Sequence, residues 1–210
     1  MKPTLTLAVL LALAACGDLT ERQRLDAAQA ALQRQDRAAA VVELKALLQL
    51  VPGQGEGRLL LGRALLEGGD AAGAEVELQR ALDAGQSLEQ VGPLLARSWA
   101  AMGKGDALVA RFEMAALNSA VSDAEVQTLV AAALLQSGQP DRAEAAIARA
   151  LKRVPRHAAA QLEAVRLQAQ RGDPASALSA VNALLETNPA FAHAWMLKGD
   201  LLYRAEGGDV

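Results

Sequence analysis

Gly57-Arg58-Leu59-Leu60-Leu61-Gly62-Arg63-Ala64-Leu65-Leu66-Glu67-Gly68-Gly69-Asp70, running on through Ala74-Glu75-Val76-Glu77-Leu78 to Ala81-Leu82, is the stretch that decides the fold. Ala74, Leu78, Ala81 and Leu82 stand at i, i+4, i+7 and i+8, one stripe of a helix. Leu61 and Leu65 make a facing stripe on a preceding helix. Gly62, Ala74 and Ala81 are small enough to let the two backbones close until the leucines interdigitate. Gly69 suits a left-handed helix cap, and Asp70 suits the cap of the next helix. The segment therefore predicts a helical hairpin with a tight Gly-Asp turn.

Composition extends that reading to the whole chain. Of 210 residues, 48 are alanine, 52% are hydrophobic and only 2% aromatic. Alanine is the strongest helix former, while the residues that sheets favour are scarce, so an all-β fold is excluded. The apolar content argues against disorder. A single cysteine leaves no disulfide framework and no cysteine-rich zinc site. The formal charge of −3 gives no electrostatic case for nucleic acid.

The hairpin recurs. Units begin near residues 21, 55, 89, 124, 158 and 192, spaced by 34, 34, 35, 34 and 34. The first carries Gln35-Asp36, Ala40, Leu44 and Pro52; the fourth Val130, Leu134, Gly138, Ala143, Ile147, Ala150 and Pro155. The fifth has Gly172-Asp173-Pro174, Ala177, Val181 and Pro189, and the sixth opens with Trp195 and Gly199. Period and markers together resemble the tetratricopeptide repeat, over residues 21–205. The resemblance implies an all-α, right-handed superhelix of about five and a half hairpins, whose first helices line a concave groove. Thr20-x-x-Gln23, Ser87-x-x-Gln90 and Ser122-x-x-Glu125 read as capping boxes opening units one, three and four. Pro52, Pro155 and Pro189 close second helices.

Unit three departs from the pattern. Pro93 falls inside its first helix, which is therefore expected to start there after a short separate turn. Leu108 replaces a small residue, and no proline precedes unit four; a hairpin with altered packing is expected. The sixth unit supplies one helix, about Phe191 to Arg204, whose apolar face has no following cover; this is read as part of a longer array.

The N-terminus reads as an address. Leu5 to Ala15 is apolar apart from Thr6, and eleven helical residues rise roughly 16 Å, half a bilayer core. Residues 1–15 therefore make a signal peptide rather than a span. Leu13-Ala14-Ala15-Cys16 resembles the bacterial lipobox, which implies cleavage before Cys16, lipid on its sulfur and acylation of its amine. Residues 16–20 would be the lipidated linker and 206–210 a tail. Gly17 is similar to an outer-membrane sorting signal, which implies a lipid-anchored protein on the periplasmic side of a Gram-negative outer membrane, the inner membrane being the lesser alternative.

Motifs of catalysis are missing. His157 and His193 fall in different repeats, with no HExxH, CxxC, GxSxG or GxxxxGK anywhere, so no metal, no catalytic residue and no cofactor beyond the covalent lipid are expected. Gly53-Gln54-Gly55-Glu56-Gly57 has the glycine content of a phosphate loop but no preceding strand, and reads as a flexible junction turn. Glu75 and Glu77 read as solvated helix faces. One constellation stands out: the ninth position of successive units holds Gln29, Arg63, Arg97, Ala132, Arg166 and Asp200. Arg63, Arg97 and Arg166 would point from one continuous surface and suit carboxylates, whether of an acidic peptide, a chain terminus or an acidic polysaccharide. The lysine–asparagine clamp of chaperone-binding repeats is not at the equivalent positions.

The Gly57–Leu78 stretch, with Val91-Gly92-Pro93-Leu94-Leu95-Ala96-Arg97 and Gly103-Lys104, is similar to the N-terminal repeats of the long lipoprotein of the PEP-CTERM/exosortase system. That resemblance implies an envelope scaffold for exopolysaccharide export or protein sorting, with envelope proteins as partners. A pilus- or outer-membrane-assembly repeat lipoprotein, and a direct binder of acidic polysaccharide, are the alternatives.

Overall fold

The computed structural model describes residues 19–205. The stretch 1–15 expected to be a signal peptide, Cys16 and residues 206–210 lie outside the described residues. Eleven helices and no strand occur among the described residues: α1 Glu21–Gln33, α2 Arg37–Leu50, α3 Gly55–Glu67, α4 Ala71–Asp83, α5 Leu88–Ala101, α6 Gly105–Phe112, α7 Ala120–Gln136, α8 Pro140–Arg153, α9 Ala158–Gln170, α10 Pro174–Thr187 and α11 Ala192–Ala205. None of these is long and apolar enough to cross a membrane. The architecture is an all-α solenoid of five antiparallel hairpins followed by α11.

Every hairpin turns in the same way. Gln35, Gly69, Gly103, Gly138 and Gly172 all have positive φ, between 60° and 85°. At Gly69 the cap is complete: its N–H donates to Leu66 O and that of Asp70 donates to Leu65 O. Asp70 then accepts from Gly73 N–H at 2.8 Å, opening α4. Gln35 makes the same turn, although its Cβ makes the left-handed conformation costlier than at the glycines. Asp36 and Asp173 cap α2 and α10 as Asp70 caps α4, with Pro174 at the first helical position. Between hairpins, Pro52, Pro155 and Pro189 each follow a helix end, and their carbonyls accept from Arg58, Gln161 and Trp195 respectively. The glycine run 53–57 is only partly turn: Gln54 caps α3, and Gly57 lies in its first turn where a Cβ would stand 2.9 Å from Leu47.

Packing inside the first four hairpins pairs a small residue with a large one, and inside the fifth it pairs two valines. The eighth position of each unit faces the twenty-fourth: Ala28 with Leu44, Gly62 with Leu78, Ala96 with Phe112, Ala131 with Ile147, Val165 with Val181. All except the glycine are at most 5% exposed. Gly62 is the tightest, since a Cβ there would stand 2.7 Å from Leu78 Cγ. Buried residues from α3 to α9 form one core, flanked by smaller clusters at α1–α3 and α9–α11. That serial arrangement is what stacked repeats produce, each burying its faces against its neighbours.

Unit three corrects two sequence expectations. Helix α5 does not begin at Pro93; it begins at Leu88 and carries Pro93 inside. The proline removes one hydrogen bond, from the sixth residue back to Glu89 O. The first turn survives because Val91 is fully buried, Gly92 lies close against Phe112, and the Glu89 carboxylate accepts from Asn118 and Ser119 N–H at 2.8 and 2.9 Å. Ser87 makes no side-chain cap to the backbone; its hydroxyl bonds Gln90 instead. The box at Thr20 forms as expected. That at Ser122 does not, because α7 starts earlier, with Ser119 accepting from Ser122 N–H.

The second helix of the unit, α6, stops after 8 residues, and α7 extends to 17. The segment 113–119 between them is held by polar groups. Asp123, with a 3% exposed side chain, accepts from Leu117 N–H at 3.0 Å and pairs with Arg149 and Arg153 at 2.9 and 3.6 Å. Arg149 also donates to the carbonyls of Glu113 and Ala115, Arg153 to those of Leu117 and Asn118. Gln127 donates to Phe112 O from a fully buried position. Glu75 and Glu77 are partly buried and paired rather than freely solvated. Glu75 accepts from the Trp99 indole at 2.6 Å and pairs with Lys104, whose hydrogen bond holds its carboxyl below the usual glutamate range. Glu77 bridges Arg58 and Arg80 with a side chain only 13% exposed.

Candidate functional site

Two rows of helices run along the solenoid. In the odd-numbered row α3 packs on α5, α5 on α7, α7 on α9 and α9 on α11; the even-numbered helices make no comparable contacts with one another. A row whose members touch lies on the inside of a curve, and one whose members splay lies on the outside. The odd row is therefore the concave wall, and its solvent-facing side is one continuous surface built from equivalent positions of consecutive units.

The ninth-position register lies on that surface. Arg63 is exposed and makes no ion pair among the described residues. Arg97 is exposed and sits 3.7 Å from Glu125 of the next odd helix. Arg166 is half-buried and pairs with Glu163, one turn back, at 2.7 Å. Gln29 reaches Glu56 of the next odd helix at 2.8 Å, the same link that Arg97 makes to Glu125. Position nine thus tends to bridge to position two of the following unit. At Arg63 the corresponding partner is Gln90, which bonds Ser87 instead, so the Arg63 guanidinium is left available. Near the first unit, Arg22, Leu25, Asp26, Gln29 and Glu56 surround a recess of about 480 Å³.

Sequence reasoning missed Glu163. Three residues before the arginine register, the wall carries Asp26, Leu60, Leu94, Leu129, Glu163 and Leu197, so Glu163 is a carboxylate set into a run of leucines. That substitution is the signal that marks it. It is 6% exposed, with Oε1 on Arg166 and a buried Oε2 that has no hydrogen-bond partner. Burial pushes its carboxyl above the ordinary value of 4.5, against the pull of Arg166. A folded-state pKa above the unfolded one means that the native state holds the proton more tightly, so this group costs stability as pH rises past 4.5. Glu163→Gln is therefore expected to gain on the wild type between about pH 4 and about pH 7 in parallel urea unfolding series. A difference independent of pH would show a solvated carboxylate.

The histidines serve locally. His157 caps α9, its Nδ1 accepting from Ala160 N–H at 3.2 Å, with the Thr128 hydroxyl 3.3 Å away. His193 lies edge-on to Phe191. No group of three or more His, Cys, Asp or Glu side chains among the described residues is placed to hold a metal ion. The arrangement can offer hydrogen bonds, cations and apolar floor along a trough.

The family model described as tetratricopeptide repeat matches residues 31–98 and 134–201, well over half of the chain. No curated protein matches the sequence significantly. Among solved structures, the chain is similar to YrrB, described as a TPR protein with an unusual peptide-binding site, at 18% identity and a TM-score of 0.67, covering 86% of this chain and 92% of that one. It is similar to MamA (41-end) from Desulfovibrio magneticus RS-1 at 17% identity and a TM-score of 0.70, covering 85% and 99%. A tetratricopeptide repeat protein from Parabacteroides merdae ATCC 43184 gives 17% identity and a TM-score of 0.70, covering 89% and 73%. At these identities the likeness is one of fold.

Proposed function

The chain belongs to the tetratricopeptide repeat family, and on that premise we propose that it is a non-catalytic docking scaffold whose concave wall binds a carboxylate-bearing segment of a partner protein. The observation that carries this reading is the continuous odd-helix wall on which the Arg63 guanidinium of α3 has no ion pair among the described residues and Arg97 is only loosely engaged. Arginine presents a planar fork that matches a carboxylate in two hydrogen bonds, and a shallow trough desolvates such a pair better than an open surface. The described peptide-binding site of YrrB supports a peptide as the kind of ligand this fold accommodates.

The location of the scaffold is proposed from sequence. The lipobox-like Leu13-Ala14-Ala15-Cys16 supports tethering by lipid on Cys16, on the periplasmic side of the outer membrane, with the trough serving an envelope assembly system. The similarity of the Gly57–Leu78 stretch to the exosortase-system lipoprotein supports exopolysaccharide export or protein sorting as that system. Acidic polysaccharide is the second reading, because Arg63, Arg97 and Arg166 share one register and uronate carboxylates would suit it equally.

Crosslinking pull-down from native membranes tests the proposal. Arg63→Glu/Arg97→Glu, which reverses two exposed side chains, should leave thermal unfolding within a few degrees and cut partner recovery at least tenfold. Undiminished recovery would contradict it. Retention on an acidic polysaccharide column, lost in the same variant, would transfer the site to the glycan reading.

A further inference from the structure

The outer face holds a second, differently built recess. Because α2 and α4 do not pack on each other, a slot opens between them with α3 as its floor. Two adjoining recesses, about 520 and 440 Å³, share Leu65 and Asp70 and make one channel. Leu61 and Leu65 floor it; Leu48 and Val76 wall it, and Val76 is 46% exposed. The rim carries Arg37, Lys45, Arg58 and Arg80 against only Asp70 and Glu77. Asp70 is occupied as a helix cap, and Glu77 is shared between Arg58 and Arg80, so Arg37 and Lys45 have no ion pair among the described residues. A surplus of cations is concentrated here on a chain whose formal charge is −3.

Slots of this kind follow from the repeat, but the charge does not. The equivalent slot between α8 and α10, floored by α9, measures about 370 Å³ and is lined by apolar and uncharged polar side chains, among them Leu151, Val165 and Leu184. There the counterparts of Arg37, Lys45, Arg58 and Arg80 are Pro140, Ala148, Gln161 and Ala183. One slot is basic around an apolar floor, and its twin three repeats on is neutral. Generic helix solvation would have charged both alike.

We propose that the α2–α3–α4 slot is a docking site, separate from the concave wall, for an acidic amphipathic helix of a partner protein. Apolar side chains on one stripe of that helix would fill the channel over Leu61 and Leu65, while flanking carboxylates would meet Arg37 and Lys45 at the rim. Charge complementarity selects this occupant over a basic or neutral segment.

Fluorescence anisotropy with labelled 14-residue helical peptides tests it. Each peptide carries leucines at i, i+4 and i+7 and zero, two or four flanking glutamates, with a lysine series as control. The full chain should bind more tightly with each added pair of glutamates, weaken as salt is raised, and ignore the lysine series. Arg37→Glu/Lys45→Glu, two exposed positions, should weaken the four-glutamate peptide at least tenfold with an unchanged circular dichroism spectrum. Affinity that is absent, indifferent to glutamate number or unaltered in that variant would overturn the proposal. So would binding to phosphatidylglycerol vesicles without binding to any peptide, which would indicate a lipid surface. Arg63→Glu/Arg97→Glu should leave peptide affinity unchanged; a loss there would move the peptide to the concave wall and overturn the second site alone.

Discussion

Asp123→Ala is expected to cost the fold about 3 kcal/mol in urea unfolding, the scale for breaking a buried ion pair by deleting one partner. The wild-type carboxylate is 3% exposed, accepts from Leu117 N–H and Arg149, and pairs with Arg153 at 3.6 Å. Its loss would leave a buried N–H unpaired and bring two guanidinium groups together with no anion between them. Both arginines are part-exposed, at 29% and 38%, which discounts the charge penalty and sets the figure at the lower end of that range. Because the same arginines hold four carbonyls of 113–119, hydrogen exchange should accelerate throughout that segment. Asp123→Asn, which keeps an acceptor for Leu117 N–H, should recover about 1 kcal/mol of the loss, the worth of one such bond. A cost below about 1 kcal/mol would mean that the segment is not braced by this cluster.

Gly62→Ala should cost about 2 kcal/mol, as overpacking a closed core does. The added Cβ would lie 2.7 and 2.8 Å from Leu78 Cγ and Cδ2, and 3.3 Å from Leu78 N, so the leucine cannot clear it by rotation alone. Leu78→Ala should cost about 3 to 4 kcal/mol, since the side chain is fully buried. The double variant is the sharper test. A methyl at position 62 would occupy part of the space that the leucine vacates, so the combined cost should fall short of the sum by at least about 1 kcal/mol. Gly199→Ala is the internal control: it holds the same place in the sixth unit, inside α11 with nothing within 4 Å of the added carbon, and should stabilise by up to about 1 kcal/mol through helix propensity alone. Strict additivity would show that helices α3 and α4 do not close on each other through this pair.

These two sites mark how far the sequence could be read. Gly62 and Leu78 were legible because spacing alone places a small residue against a large one, and the 34-residue recurrence repeats the arrangement. The Gly69-Asp70 turn was legible because few residues tolerate a left-handed cap. Asp123 was not, because its partners lie 26 and 30 residues away on α8 and the chain between carries no mark of them. Pro93 misled for a related reason: local propensity argues against a helix there, and the opposing contacts come from Phe112, Asn118 and Ser119. In the trough, Arg63, Arg97 and Arg166 could be aligned by register. Their pairing could not, since Glu125 belongs to the following unit and the isolation of Arg63 depends on Gln90 turning to Ser87.

The directest test of the central idea, a concave wall that docks a carboxylate-bearing segment, is site-specific photocrosslinking in the native cell. A benzophenone side chain at Ala132, at the middle of the arginine register, should yield one discrete protein adduct that disappears when Arg63→Glu/Arg97→Glu is added. The same group at Ala145, on the exposed outer face of α8, should yield none. An adduct of equal strength at both positions, or one at Ala132 that survives the arginine reversal, would contradict the account.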